Sequence, residues 1–385
     1  MSEGCVQVIG KRFYLVLIGV LLFGIFLSPL IAATEFAAGS KLSITKEFAN
    51  QFFDGVLTGQ LAGDQAQLAQ LYLRAPIPWG VITVGRQYLK SGPGYFSNLV
   101  LSEQIPLNAV YHQIEYEQFR GTQLVAYLGE GVNKQLFFHR LETEQLYPGL
   151  KVGVFESMIA SEYIHPAYYI PFPYWPYYLT AKLLGLSSNY NDYEDKYLGL
   201  DFIYELKNNG QIYGELLVDE FPQRSRHNNP DKRAHLLGFF YPLSEQDQLR
   251  IEYSNVFNYV YQHRYRQNNY SYRGEMLGHW LGPDGDVIDL ELERVLGPKN
   301  SLKMGLQQVR KGSGKMGEDY GSDHAEKKFL AELIRRELNL KSEFQHRLNA
   351  DINLKAGLAY GMIEEYRPHR NYDIINLFFG LEIKI

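Results

Sequence analysis

The sequence predicts an all-β fold: a single closed antiparallel transmembrane β-barrel of about 16–18 strands, about 18 by the best count, with a partly plugged lumen. Three observations carry this. Past residue 33, apolar and polar residues alternate with period two in run after run. The chain holds 30 Tyr and 22 Phe, yet its mean hydropathy is -0.26. Aromatic girdles at the two membrane surfaces, on strands that never form a long apolar run, account for both facts. Third, long and short connections alternate over the last half of the chain. This is the pattern of a barrel whose every second loop is extracellular and whose others are tight periplasmic turns. The length of 385 residues does not decide the matter, because all-β barrels commonly run this long as one domain.

At the amino end, Lys11 and Arg12 precede the apolar run "FYLVLIGVLLFGIFLSPLIAA", the order of charge and apolar residues in a secretory signal peptide. The expected organisation is therefore a signal peptide over 1–33 and one barrel domain over 34–385. The competing reading is an uncleaved anchor, since Phe13 to Ala33 is long enough to span a bilayer. Pro29 and the small pair Ala32 and Ala33 favour cleavage. Cys5, the sole cysteine, lies upstream of the apolar core and leaves with the signal. The processed chain then has no thiol nucleophile, no disulfide and no Cys-ligated zinc. A net charge of -5 without any Lys/Arg block excludes nucleic acid as a partner.

Along the rest of the chain, residues 91–107 and 161–178 do not fit a plain hairpin meander. Beyond them the strand pattern is regular. In "YLGLDFIYEL", Leu198, Leu200, Phe202, Tyr204 and Leu206 share one face, and Gly199, Asp201, Ile203 and Glu205 the other. In "QIYGELLVD", Ile212, Gly214, Leu216 and Val218 oppose Tyr213, Glu215, Leu217 and Asp219. For the apolar sets to meet, paired numbers must sum to an even value, so the loop must hold an odd number of residues. A three-residue loop at Asn208, Asn209 and Gly210, with Gly210 at positive φ, meets that condition. The expected consequence is that Leu200, Phe202, Leu216 and Val218 face lipid. The same alternation recurs in "DVIDLELERVL", "INLKAGLAYGM" and the closing "INLFFGLEIKI". Long polar breaks are expected at 185–195, 221–232, 263–284, 312–334 and 365–371. Short ones are expected at 208–210, 243–246, 297–300 and near 349.

The residues that could carry chemistry begin with the acids. Asp201, Glu205, Glu215, Asp219, Asp289, Glu291 and Glu293 lie on the polar faces of their strands. Paired carboxylates can hydrolyse glycosides, but a charge turned toward lipid costs free energy, so charges in such strands collect on the lumen side for structural reasons alone. The reading is a lumen-facing, solvated or Arg-paired wall, with Arg250, Lys303, Arg347 and Lys355 as partners, and no catalytic residue. Scattered single histidines, among them His112, His139, His235 and His279, give no metal spacing, and neither a metal nor another cofactor is expected. "GPDGD" at 282–286 lacks the ligands of a calcium loop and reads as a turn. Two aromatic stretches are candidates for stacking on sugar rings. One supplies Tyr168, Tyr169, Tyr174 and Trp175; the other supplies Arg264, Tyr265, Arg266, Tyr270 and Arg273. An interfacial anchor or a plug at the barrel mouth would use the first stretch equally well.

The stretches "GRQYLKSGPGYFSNLVLSEQIPL" (85–107), "FFHRLE" with "LKVGVFES" (137–157), "LGLDFIYEL" with "YGELLVDEF", and "LGHWLGPDGD" (277–286) together resemble the capsule assembly Wzi family of bacterial outer-membrane proteins. The likeness runs in order over roughly residues 67–385. It implies an 18-stranded outer-membrane barrel of a diderm bacterium that acts as a lectin for exported capsular polysaccharide, making and breaking no bond. The matching stretches are strands and turns that define the fold, so no sugar-contacting residue is carried over. The partners expected are therefore a capsular or other surface polysaccharide, outer-membrane lipid and the outer-membrane assembly machinery, with the protein a monomer. A passive diffusion channel is the alternative, and an outer-membrane hydrolase a further one.

Overall fold

A computed structural model describes residues 40–384 apart from 50–52, 63–64, 130–132, 163, 165, 170–193, 221–231, 264, 318–328 and 368. The expected signal peptide lies outside the described residues. In chain order the strands are β1 (Ser40–Ala49), β2 (Asp54–Ala62), β3 (Gln65–Ile77), β4 (Gly80–Gln87), β5 (Lys90–Ser91), β6 (Leu101–Ser102), β7 (Leu107–Tyr116), β8 (Phe119–Gly129), β9 (Lys134–Tyr147) and β10 (Leu150–Ala160). There follow β11 (Glu194–Glu205), β12 (Gln211–Glu220), β13 (Lys232–Pro242), β14 (Asp247–Val256), β15 (Ser271–Tyr272), β16 (Glu275–Met276), β17 (Gly285–Gly297), β18 (Asn300–Gly312), β19 (Leu333–Arg347), β20 (Ile352–Glu365) and β21 (Arg370–Lys384).

Among the described residues, all strands but the two short ribbons, β5 with β6 and β15 with β16, join one 17-stranded sheet closed by β1 on β21. The expected best count of 18 is thus one too many, and the wall is not wholly antiparallel. Each step from a strand to its chain neighbour in the wall is antiparallel, but β1 pairs β21 in parallel, from Ser40↔Phe379 to Thr45↔Lys384. The odd count dictates this: direction reverses at every antiparallel step, so the first and seventeenth strands run the same way and can close only in parallel. Closure leaves no unpaired edge to recruit another chain.

Strands form where the sequence alternates, and the register sorts the wall into two faces. One carries Val84, Val110, Val154, Leu200, Leu237, Ile288, Leu306, Leu340, Leu358 and Leu377, all exposed. An exposed apolar face running round a closed sheet is the belt that meets lipid in a transmembrane barrel. Exposed Trp79, Tyr116 and Tyr147 flank the short connections 78–79, 117–118 and 148–149, where amphipathic rings suit a membrane surface. The other face meets two inserts, residues 88–106 between β4 and β7 and residues 257–284 between β14 and β17. Long connections sit at the end of the wall that holds these inserts, and turns such as 243–246, 298–299 and 348–351 sit at the other. The expected long break at 365–371 is an exception: it is only 366–369, no longer than 348–351.

The hairpin of β11 and β12 keeps the even-sum register, with Leu200↔Leu216 and Asp201↔Glu215. Its loop differs from expectation. The strands end at Glu205 and Gln211, and the turn is closed by Leu206 N–H donating to the Gly210 carbonyl at 2.7 Å. Positive φ falls on Asn208 (65°) and Asn209 (60°), while Gly210 is extended at φ -72°. Asn tolerates the left-handed region because its short polar side chain bonds locally. Gly210 is needed for space, since a Cβ there would stand 2.8 Å from the Tyr241 ring.

Candidate functional site

The inserts and the wall opposite them form a single buried cluster. Leu99, Val100 and Leu101 of the first insert pack with Val260, Tyr261, Tyr270, Leu277 and Leu281 of the second, against Leu124, Phe138, Phe155, Tyr197, Leu217 and Leu236 of the wall. The inserts also bind each other: Ser102 N–H donates to the Leu277 carbonyl at 3.1 Å, and the Tyr261 hydroxyl donates to the Leu99 carbonyl at 2.5 Å. Chain buried this way must find acceptors for its backbone N–H groups. The acids of the wall supply them. Glu215 accepts from Leu99 N–H at 2.7 Å and Gly94 N–H at 3.2 Å. Glu252 accepts from Tyr95 N–H at 2.7 Å and from the Tyr213 hydroxyl at 2.9 Å. Asp219 accepts from Tyr261 N–H at 2.9 Å. Gly92, at φ 118°, is required here, because a Cβ would collide with the Glu215 carboxylate.

Other expected acids are held by side chains. Asp201, 2 % exposed, takes a two-pronged ion pair from Arg140, which also bonds Glu142 at 2.8 Å. Asp289 accepts from Gln307 Nε2 at 2.7 Å. Glu291 and Glu293 are both 3.6 Å from Arg250, with Lys303 at 3.8 and 3.6 Å. Glu205 is exposed, 3.8 Å from Lys151. Register places all seven acids on the face that meets the inserts. Of the expected cations, Arg250 and Lys303 pair as described and Lys355 pairs with Glu382 at 2.7 Å. Arg140 and Glu252 went unrecognised in the sequence, although "LRIEYS" puts Glu252 on the same alternation as Arg250.

The "GPDGD" turn anchors a neighbouring connection. Asp284, at φ 59°, accepts from Gly314 N–H at 2.8 Å and Ala331 N–H at 3.1 Å. Beside it, buried His279 accepts from Leu281 N–H at Nδ1, 3.2 Å. Burial, aided by the charge of Lys311, pushes the His279 imidazole down to about 3, so the ring is neutral. Burial raises the Tyr261 and Tyr270 phenols in the same insert.

The aromatic candidates are not one site. Tyr270 is fully buried; its ring stacks on Tyr261 at 5.7 Å, and its hydroxyl lies 2.6 Å from Ser157 Oγ. Tyr168 is buried against Phe137, Met158 and Ala160, with its hydroxyl on Glu194. By register those three wall residues share the exposed apolar face with Val110 and Leu200. Neither ring offers a face to a ligand. Tyr169 is exposed, its hydroxyl donating to Gln135 Oε1 at 2.7 Å. Arg266 and Arg273 are exposed on the second insert, Arg273 stacked 5.2 Å over Tyr272, and Tyr265, next to Arg266 in the chain, is half-buried. Tyr174, Trp175 and Arg264 lie outside the described residues. Among the described residues, no three His, Cys, Asp or Glu side chains converge as a metal would need.

A family model described as capsule assembly protein Wzi matches residues 175–370. No curated protein matches by sequence. Among solved structures, the chain is similar to Wzi of Escherichia coli, described as an outer membrane protein involved in group 1 capsule assembly and as a carbohydrate binding β-barrel. The TM-score is 0.63 at 13 % identity, covering 88 % of this chain and 76 % of that one, a likeness of fold. OccAB4 of Acinetobacter baumannii also matches, with a TM-score of 0.49, 9 % identity and coverage of 86 % and 83 %. OccK10 of Pseudomonas aeruginosa matches with a TM-score of 0.49, 11 % identity and coverage of 86 % and 90 %. The family match spans half of the chain and agrees with the closed wall and its exposed apolar belt, so this outer-membrane β-barrel belongs to the capsule assembly protein Wzi family.

Proposed function

We propose that the protein binds exported capsular or other surface polysaccharide at the end of the barrel that carries the long connections, as a non-enzymatic monomer. The observation that carries this reading is the family match over 175–370, which takes in the whole second insert. That insert displays Arg266 and Arg273, with half-buried Tyr265 preceding Arg266 in the chain. Guanidinium groups suit the carboxylates of an acidic glycan, and tyrosine rings suit the C–H faces of its sugars. The similarity in fold to a carbohydrate-binding barrel supports the same reading.

In this reading the face that meets the inserts is the lumen wall, and the inserts plug part of the lumen. The acids then serve the fold. Glu215, Glu252 and Asp219 are occupied by backbone N–H groups and Asp201 by Arg140, which leaves them no freedom to shuttle protons to a glycosidic bond. A glycan array probed with the full chain in detergent tests the proposal. Binding to an acidic polysaccharide is expected, and the Arg266→Ala/Arg273→Ala double variant should weaken it about tenfold or more, the equivalent of one charge-assisted hydrogen bond. Absence of binding to any surface polysaccharide, or binding unaffected by the double variant, would count against it.

A further inference from the structure

The interior is not uniform round the wall. Among the described residues, the buried cluster draws on β7–β14, β17, β18 and the inserts, and no member comes from β1–β4 or β19–β21. The other seven strands of the 17-stranded sheet continue the same face, on which Thr58, Thr83, Gln87 and Ile363 are buried while Lys341, Lys355 and Glu382 of β19–β21 are 30 % exposed or more. Register follows that face from Gly305 to Lys341, Ala359 and Asn376, and from Lys303 to Glu343, Gly357 and Phe378. It continues from Lys384 to Thr45, Thr58 and Gln70.

The charged residues of the β19–β21 arc behave as a wetted surface, at mid-depth for Lys341 and Glu343 and toward the end that carries the turns for Lys355, Glu382 and Lys384. Lys341 stands near the middle of the fifteen-residue β19, yet its side chain is 56 % exposed. Its ion pair with Glu343 spans 3.1 Å, and Lys355 with Glu382 and Lys384 with Glu47 span 2.7 and 2.8 Å, all but Glu343 30 % exposed or more. Charges inside a barrel stay ionised and half-exposed only where water reaches them. The rings on this arc lie back against the wall. Phe378 covers Gly357, where a Cβ would meet its ring, and Lys341 Nζ sits 5.1 Å over the same ring. A Cβ on Gly305 or Gly380 would find no atom closer than 3.7 or 3.5 Å. Among the described residues, small side chains, the flattened Phe378 ring and solvated pairs together leave the space between β19–β21 and the inserts open.

We propose that the β19–β21 arc bounds a water-filled passage alongside the inserts, open to small ions and hydrophilic solutes. The barrel is thus plugged on one side and conducting on the other. This rests on the reading that the face meeting the inserts is the lumen wall. Because the charges along the arc come in opposite pairs, the passage discriminates little between cations and anions.

Planar-bilayer recording of the purified full chain in KCl tests this. Steady single-channel steps are expected, with a reversal potential near zero in a salt gradient. Gly305→Trp and Ala359→Trp, which project a ring into the passage, should each cut the step at least by half; Val110→Trp on the lipid-facing belt should leave it unchanged. In a Cys5→Ser background, Lys341→Cys should lose conductance on reaction with a bulky thiol reagent, which covers the case in which a Trp variant does not fold. Glycan binding on the same preparation separates the two readings. A barrel that binds glycan but passes no current overturns the passage alone, and so do steps indifferent to both Trp variants and to the thiol reagent. Current without glycan binding sustains the passage and overturns the lectin reading.

Discussion

Glu215 is the anchor on which the first insert depends most directly, and its removal has a calculable effect. The carboxylate is 4 % exposed and accepts from two backbone donors, Leu99 N–H and Gly94 N–H. Glu215→Ala leaves both without an acceptor in a dry site. A buried donor left unmet costs about 1–3 kcal/mol, so the pair loses about 2–6 kcal/mol, and even the lower figure is roughly 30-fold in the equilibrium for opening the insert. The wall should survive, because β11, β12 and β13 keep their ladders. Hydrogen exchange of the Leu99 amide in detergent reads the effect, with heat-modifiable gel mobility as the check that the barrel is closed. Glu215→Gln, which keeps one acceptor oxygen, should fall between wild type and Glu215→Ala. If Leu99 exchanges at the wild-type rate in Glu215→Ala, the carboxylate is not what holds the insert, and the reasoning fails.

The remaining predictions concern the pairs, the belt and pH. Arg140→Ala strands Asp201 in a buried site and should cost about 3–5 kcal/mol in unfolding, with Arg140→Ala/Asp201→Ala recovering part of the loss, read from denaturation midpoints. Leu200→Arg places a charge on the exposed apolar face and should destabilise the barrel in lipid by about 2–4 kcal/mol; no loss would mean that the face does not meet lipid. His279 is neutral when folded, with its pKa below the ordinary value, so stability from this group is complete above about pH 6.5 and falls as the unfolded chain takes up the proton at lower pH. With the folded value near 3, the loss is about 1.4 kcal/mol per pH unit below 6.5, or about 2 kcal/mol at pH 5. The wild-type melting temperature should therefore drop between pH 7 and pH 5 relative to His279→Gln.

What the sequence disclosed follows from how local each signal is. The faces of β11 and β12 were legible because period two and the even-sum rule fix them together, and the observed register obeys both. The turn between them was legible only in outline: Asn and Gly both accept positive φ, and the choice was made by the Tyr241 ring, which arrives from β13. The count of 17 was out of reach because strand boundaries read from one sequence are soft, and its parallel closure is a property of the ring rather than of any segment. The burial of Tyr168 and Tyr270 was out of reach for a similar reason. Aromatic density says that rings will be buried or interfacial; which neighbours bury them, Phe137 and Met158 for one and Tyr197 and Tyr261 for the other, is decided by how the strands and the insert pack together.

The acids are where local and distant information diverge furthest. Period two places Glu215 and Lys341 on the same face, and nothing in either strand separates them. Their environments are opposite: Glu215 is dry and held by backbone N–H groups, while Lys341 is half in water beside Glu343. The difference is set by the first insert, whose "SGPGYFSNLV" has the glycines to turn tightly and the apolar residues to leave water. An insert of that kind takes its hydrogen bonds from whichever carboxylates it reaches, and it reaches β12 and β14. Strands beyond its reach must satisfy their charges with each other and with solvent, so the pattern of acceptors round the wall is a map of where the inserts stop. On that ground a polar inner wall does not by itself distinguish a plugged barrel from an open one; the identity of each charge's partner does.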